Sequence, residues 1–149
     1  TSWIFSEFGK NFLKTIYQNI KLGKKLKIVS DQVGCPTYAY DIAEFIFTLI
    51  DSLHSSFAQN EIYHFAGLHS CSWYEFANLI NKVAFNEGFV EKDDLIEPIE
   101  SSSYKGNIAL RPKYSILNSN KAYNDFSLRP TKLQNAILKS ILSIENDER

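Results

Sequence analysis

A short polar stretch, residues 31–37, carries the side chains in this sequence that are best suited to bind a polar ligand. It reads Asp-Gln-Val-Gly-Cys-Pro-Thr and lies between two apolar runs. Gln32 offers a donor and an acceptor, Gly34 permits close approach of another backbone or ligand, and Pro36 stiffens the turn before Thr37. Polar groups in a loop that two rigid elements position are typical of a binding site. We therefore predict a ligand-binding loop here.

The same loop could instead serve only the fold, with Thr37 or Asp41 as the N-cap of the following helix. We interpret Asp41 as structural. Two other positions suit ligand chemistry. Trp3 could form an apolar wall with one indole donor, or be an ordinary core tryptophan. The Arg111 guanidinium could grip a diphosphate with two parallel hydrogen bonds, or simply lie on the surface.

Several kinds of site are not supported by the sequence. The six glycines never cluster, so there is no glycine-rich turn for a dinucleotide. Tyr17 and Lys21 have the spacing of a proton-donor pair, but Tyr17 falls on an apolar helix stripe, which favours a core position. The three histidines and two cysteines (Cys35 and Cys71) lack metal-ligand spacing. Isolated cysteines are typical of reduced thiols in a cytoplasmic protein.

Size and composition indicate one globular domain with a substantial core. The chain has 149 residues, 44% of them hydrophobic, and its 16 basic and 17 acidic residues give a net charge of −1. This balance does not favour nucleic acid as a partner, and no apolar run approaches the roughly 20 residues that span a membrane. The chain has no methionine and opens with Thr-Ser-Trp-Ile-Phe, which resembles the second half of a buried strand. We therefore expect it to be a piece of a longer protein.

Strands alternating with helices predict an α/β fold with parallel pairing. Strands are predicted at residues 26–29, 61–66 and 95–99, and an irregular substrate loop at residues 101–110. Helices are predicted from Asn11 to Gly23, at residues 38–53, from Ser72 to near Gly88, briefly after Asn118, and from Thr131 onward. Capping boxes are predicted at Ser72–Glu75 and at Thr131–Gln134. The helix at residues 38–53 is apolar on a wide arc, which predicts that it is well buried.

Three motifs together resemble the dTDP-4-dehydrorhamnose reductases. They are Thr1-Ser2-Trp3, residues 31–37 with Asp41-Ile42-Ala43, and Arg111-Pro112 with Ser115 and Leu117. The resemblance covers nearly the whole chain but only the C-terminal half of that family. It implies part of a Rossmann-type extended short-chain dehydrogenase: the last strands of the parallel sheet plus a small helical substrate-binding subdomain. Residues 1–149 would form one substrate-binding region, with the dinucleotide-binding part and the catalytic tyrosine-lysine pair upstream of residue 1.

The resemblance also implies a function. The parent enzyme would use NADPH or NADH to reduce dTDP-4-dehydro-L-rhamnose to dTDP-L-rhamnose for cell-surface polysaccharide, in the cytoplasm, and it could form a homodimer. No catalytic residue would lie in this chain, so we expect the chain alone to be inactive. The alternatives are a reductase for another 4-keto nucleotide sugar, a regulatory subunit resembling the methionine adenosyltransferase β subunit, or an α/β domain without a site. Thr1 and Ser2 would lie beside the cofactor, and the implied dTDP-sugar contacts are Trp3, Gln32, Gly34, Pro36, Thr37 and Arg111.

Overall fold

The structure is a computed structural model that describes residues 1–52, 61–104 and 111–147. Within these ranges, six short strands form three pairs. Two pairs are parallel and one is antiparallel, so the α/β class with parallel pairing is confirmed. The strands are β1 (Ile4–Phe5) with β4 (Thr37–Tyr38), β2 (Leu26–Val29) with β6 (Ile96–Ile99), and β3 (Val33–Gly34) antiparallel to β5 (Cys71–Ser72).

The helices follow their predicted positions closely. The Asn11 side chain accepts a hydrogen bond from the Lys14 amide at 3.2 Å and caps the start of the first helix. Gly23 follows the end of this helix with a φ of +68°. Both ends are therefore confirmed, because each depends on local backbone chemistry. The helices are α1 (Phe12–Lys21), α2 (Ala39–Ser52), α3 (Trp73–Asn86), α4 (Asn120–Asp125) and α5 (Leu133–Asp147), with a 3₁₀ turn at Ser101–Ser103.

One predicted capping box is confirmed and the other is wrong. The Ser72 hydroxyl accepts the Glu75 amide at 3.1 Å, and the Glu75 carboxylate accepts the Ser72 amide at 2.7 Å. The Thr131 amide and hydroxyl instead donate hydrogen bonds to the buried Asp41 carboxylate, at 2.9 and 2.7 Å. The last helix therefore begins at Leu133, and Asp41 has the structural role predicted for it.

The main core lies between α1, α3, α5 and the strands β2 and β6. Phe5 enters it from β1 and is 1% exposed. A second, smaller cluster lies under α2 and α4 and contains Phe45, Phe65, Ala122 and Tyr123. Segment 61–66, predicted as a strand, is not one. Its Ala66 amide pairs with the Ser119 hydroxyl and its Ala66 carbonyl with the Tyr123 phenol, so side chains take the groups that a strand ladder would use.

Helix α2 differs from its prediction in burial. Only Asp41 and Phe45 are buried on it, whereas Ile46, Phe47 and Ile50 are 48%, 70% and 51% exposed. A wide apolar arc shows that a helix can bury several faces, but it does not supply the elements that cover them. Leu53, the predicted last residue, and residues 105–110 of the predicted substrate loop lie outside the described residues. No helix within the described ranges is long and apolar enough to cross a membrane.

Candidate functional site

The described part of the chain contains a cavity with a volume of about 610 Å³, which we call the aromatic cavity. It lies where the N-terminal segment, β2, the start of α3 and residues 111–115 converge. None of the described residues that line it is acidic, two are cationic, and four are aromatic. The lining residues are Ser2, Trp3, Phe12, Lys27, Ile28, Val29, Gln32, Trp73, Tyr104, Arg111, Pro112 and Ser115.

Two stacked tryptophans form one wall of the aromatic cavity. The rings of Trp3 and Trp73 lie face to face, with centroids 3.5 Å apart and planes 9° apart. Phe12 from α1 packs against Trp73 at 4.6 Å. Trp3 has a φ of +47°, a left-handed conformation that a bulky residue rarely adopts. A Cβ at Gly34 would lie 2.7 Å from the Trp3 indole nitrogen, so this glycine leaves the room that the indole occupies.

Gln32 lies in the cavity wall, and its side-chain amide is available to a ligand. The residue is 7% exposed, and its side chain makes no hydrogen bond to another residue in the described ranges. A ligand with a hydroxyl or carbonyl group in the aromatic cavity could use both the donor and the acceptor of this amide.

Residues 111–115 are held against the motif loop by backbone pairing. The Val33 amide donates to the Lys113 carbonyl at 2.8 Å, and the Ser115 amide donates to the Val33 carbonyl at 2.9 Å. This pairing brings Arg111 to the same cavity as Gln32, although the two lie far apart in the sequence. Neither Arg111 nor Lys27 forms an ion pair with any residue that the structure describes. The aromatic cavity therefore carries two cations for which the described residues supply no counter-ion.

Asp31 fixes two loops at the edge of the cavity. Its carboxylate accepts the Ser101 amide and hydroxyl, both at 2.8 Å, and lies 3.3 Å from the Lys113 ammonium. The Ser101 hydroxyl hydrogen bond is the largest cause that lowers the pKa of Asp31 to about 2, with smaller contributions from the Ser101 amide and Lys113. Asp31 is thus a structural residue of the site, because it ties residues 101–104 and 111–115 to the motif loop.

Replacing Asp31 by asparagine should lower the melting temperature near neutral pH. The pKa of Asp31 in the folded chain, about 2, lies below its ordinary value of 3.8. The ionised carboxylate therefore stabilises the folded chain fully at a pH above 3.8, and this stabilisation is lost as the pH falls from 3.8 to about 2. Thermal unfolding followed across that range should show the wild type and Asp31→Asn converging at low pH. The exposed Asp93→Asn is the control, and a gap in melting temperature that stays constant with pH would contradict the assigned role.

The structure places four of the predicted site residues away from the cavity lining. Gly34 packs directly against the Trp3 indole. Pro36 packs against Gly67, and Thr37 is fully buried, donating to the Cys35 carbonyl at 3.0 Å and accepting the Gly67 amide at 3.1 Å. These groups are satisfied by the protein itself. Thr1 is exposed and does not line the cavity, whereas Ser2, Trp3, Gln32 and Arg111 do.

The remaining candidate groups have structural partners. Tyr17 is 1% exposed and its phenol donates to the Glu145 carboxylate at 2.6 Å, which Lys21 also contacts at 2.5 Å. The core interpretation of Tyr17 is therefore confirmed. Both cysteines are free thiols, and burial, followed by the charge of Glu75, raises the pKa of Cys71 to about 12. Within the described residues, no group of three or more His, Cys, Asp or Glu side chains could hold a metal ion.

Comparison with known proteins gives a match over nearly the whole chain. A family model described as the RmlD substrate binding domain matches residues 1–145. The chain belongs to this family.

Three relatives show how the family match extends. The dTDP-4-dehydrorhamnose reductase of Aggregatibacter actinomycetemcomitans is 35% identical over 138 residues, which are 92% of this chain and 47% of that protein. A solved dTDP-4-dehydrorhamnose reductase from Bacillus anthracis, in complex with NADP, is 30% identical with a TM-score of 0.75. That match covers 95% of this chain and 46% of that one.

The third relative is a solved dTDP-4-dehydrorhamnose reductase from Clostridium acetobutylicum, which is 27% identical with a TM-score of 0.78, over 97% of this chain and 47% of that one. These similarities confirm the predicted fold class, a portion of a Rossmann-type reductase. The chain spans about half the length of the curated relatives that it matches.

Proposed function

We propose that this chain is the substrate-binding region of a nucleotide-sugar reductase, and that it binds dTDP-4-dehydro-L-rhamnose during NAD(P)H-dependent reduction to dTDP-L-rhamnose. The observation that carries the proposal is the content of the aromatic cavity. It combines a tryptophan wall, the Gln32 amide, which pairs with no described residue, and two cations that form no ion pair with a described residue; none of the described lining residues is acidic. A dTDP-sugar can use all three features, because it joins a sugar to a dianionic diphosphate.

Each feature suits one part of the proposed ligand. The guanidinium of Arg111 can bind diphosphate oxygens with two hydrogen bonds, and Lys27 adds a second positive charge. The Trp3 indole, which stacks on Trp73 and is backed by Gly34, offers an apolar edge and one donor to the deoxysugar ring. Gln32 can donate to the sugar carbonyl or accept from a sugar hydroxyl. The described residues thereby cover the diphosphate and the sugar.

The nicotinamide cofactor is a separate part of the proposal. The relative from Bacillus anthracis was solved with NADP, and we propose NADPH or NADH for the complete reductase. The sequence has no glycine-rich turn for a dinucleotide, and Thr1 and Ser2 are the residues of this chain that we propose to lie beside the cofactor. Tyr17 is sequestered by Glu145 and is not available as a proton donor. We propose that other residues of the complete reductase supply the proton donor and most of the cofactor contacts.

Replacing Gln32 by leucine tests the sugar contact. One hydrogen bond contributes about 1 kcal/mol, so affinity for dTDP-L-rhamnose should fall roughly five-fold while affinity for dTDP stays nearly unchanged. Isothermal titration calorimetry with the 149-residue chain measures both. Gln18→Leu, on the exposed side of α1, is the matched control. Equal losses for both ligands, or no loss for either, would count against a sugar contact by Gln32.

A further inference from the structure

The stacked tryptophans raise the question of what holds Trp3 in place. A left-handed backbone conformation is unfavourable for a residue other than glycine, and it persists only where the surroundings enforce it. Parallel rings with centroids 3.5 Å apart are also not the arrangement that isolated aromatic pairs prefer, which is offset or edge-to-face. The packing around Trp3 therefore imposes both features.

Trp73 is fixed independently of Trp3. It is the first residue of α3, directly after the N-cap of the Ser72–Glu75 capping box, which determines where that helix begins. Phe12 of α1 lies against its ring at an angle of 47°. The Trp73 ring is thus set by two helices of the main core, and it offers a rigid face to any group that lies on it.

Trp3 takes its position from this face and from the motif loop. Its carbonyl accepts the Thr37 amide at 3.1 Å, and its indole occupies the space left by the absent side chain of Gly34. In this position the indole stacks on Trp73 and also lines the aromatic cavity.

We infer that Trp73 is a positioning residue for ligand binding: its ring holds the Trp3 indole in the orientation that contacts the sugar of the bound nucleotide. The inference rests on the proposed function, since it concerns the same site. It gives a role to a residue whose sequence context, a capping box followed by apolar positions, is explained by helix formation alone.

A double-mutant cycle tests the inference. Calorimetry on the 149-residue chain would compare Trp3→Leu, Trp73→Leu and the double variant with the wild type, against dTDP-L-rhamnose and against dTDP. Each single variant should weaken dTDP-L-rhamnose binding by roughly three- to tenfold, the range expected of an aromatic contact, and dTDP binding by much less. Because Trp73 acts through Trp3, the double variant should lose no more than Trp3→Leu alone.

Two variants separate positioning from folding. Trp73→Phe keeps a flat ring and should recover most of the affinity. Tyr74→Leu removes a half-buried aromatic ring from the next position of α3, and it should leave the ratio of the two affinities unchanged. Additive losses in the double variant, or the same loss from Tyr74→Leu, would overturn the positioning role.

Circular dichroism gives a readout that is independent of the ligand. The chain contains two tryptophans, so the stacked pair should give an exciton couplet that disappears in Trp3→Leu and in Trp73→Leu alike. A wild-type spectrum without the couplet would overturn the inference. A wild-type spectrum with the couplet, in a chain that does not bind dTDP-L-rhamnose at millimolar concentration, would instead overturn the proposed function.

Discussion

Replacing Arg111 by alanine should weaken binding of dTDP and of dTDP-L-rhamnose by roughly ten- to a hundred-fold. A hydrogen bond to a charged group contributes about 1.5–3 kcal/mol. No acid among the described lining residues of the cavity neutralises the Arg111 guanidinium. Both ligands should be affected equally, because both carry the diphosphate. In a complete reductase the same change should raise KM with little effect on kcat, since the contact is made in ground and transition states alike.

Two further variants sharpen the Arg111 test. Arg111→Lys should recover only part of the affinity, because an ammonium cannot reproduce the planar fork. Lys25→Ala removes a cation that lies near Glu97 at 3.9 Å and does not line the cavity, and it serves as the charge control. Calorimetry at two salt concentrations would separate a direct contact from general attraction. Unchanged dissociation constants in Arg111→Ala would remove this residue from the site.

Replacing Gly67 by alanine should destabilise the chain strongly, and more than the same change at Gly88. The new Cβ would lie far inside van der Waals contact with the Pro36 carbonyl oxygen. The backbone cannot easily move away, because the Gly67 amide donates to the buried Thr37 hydroxyl at 3.1 Å. Overpacking costs about 1–3 kcal/mol and occasionally more, and we expect the upper end of that range in the free energy of unfolding measured with urea.

Gly88→Ala is the matched control for the Gly67 prediction. Gly88 has a φ of +75° and no atom within 4 Å of the position where a Cβ would lie, so only backbone strain of the order of 1–2 kcal/mol is expected. If Gly88→Ala proved the more destabilising variant, the close packing of the motif loop against residue 67 would be contradicted.

The features that the sequence predicts well are those determined locally. The Asn11 cap, the glycine at position 23 and the Ser72–Glu75 box each depend on residues within one helical turn, and all three are confirmed. The second capping box fails because Thr131 has a better partner in Asp41, which is distant in the sequence. Segment 61–66 has the composition of a strand, but the backbone groups of Ala66 pair with the Ser119 and Tyr123 side chains at α4.

In the candidate site, too, the sequence predicts some features and misses those that depend on distant partners. The motifs point to the region that contains the aromatic cavity, and Trp3, Gln32 and Arg111 line it together. Sequence spacing cannot distinguish these residues from Pro36 and Thr37, which are buried. The Thr37 hydroxyl is used by the Cys35 carbonyl and the Gly67 amide, and the Pro36 carbonyl lies against Gly67. Trp73 is missed because its place as the first helical residue after a capping box already accounts for a tryptophan packed against the core.

The most direct test of a nucleotide-sugar site in the aromatic cavity is a nuclear magnetic resonance titration of the two indole N–H signals. The chain contains two tryptophans, both in the cavity wall, and one substitution assigns each signal. Addition of dTDP-L-rhamnose should shift both signals along one saturable curve, and unlabelled dTDP should compete. If both signals stay unchanged in the presence of excess dTDP-L-rhamnose, the cavity is not the substrate site.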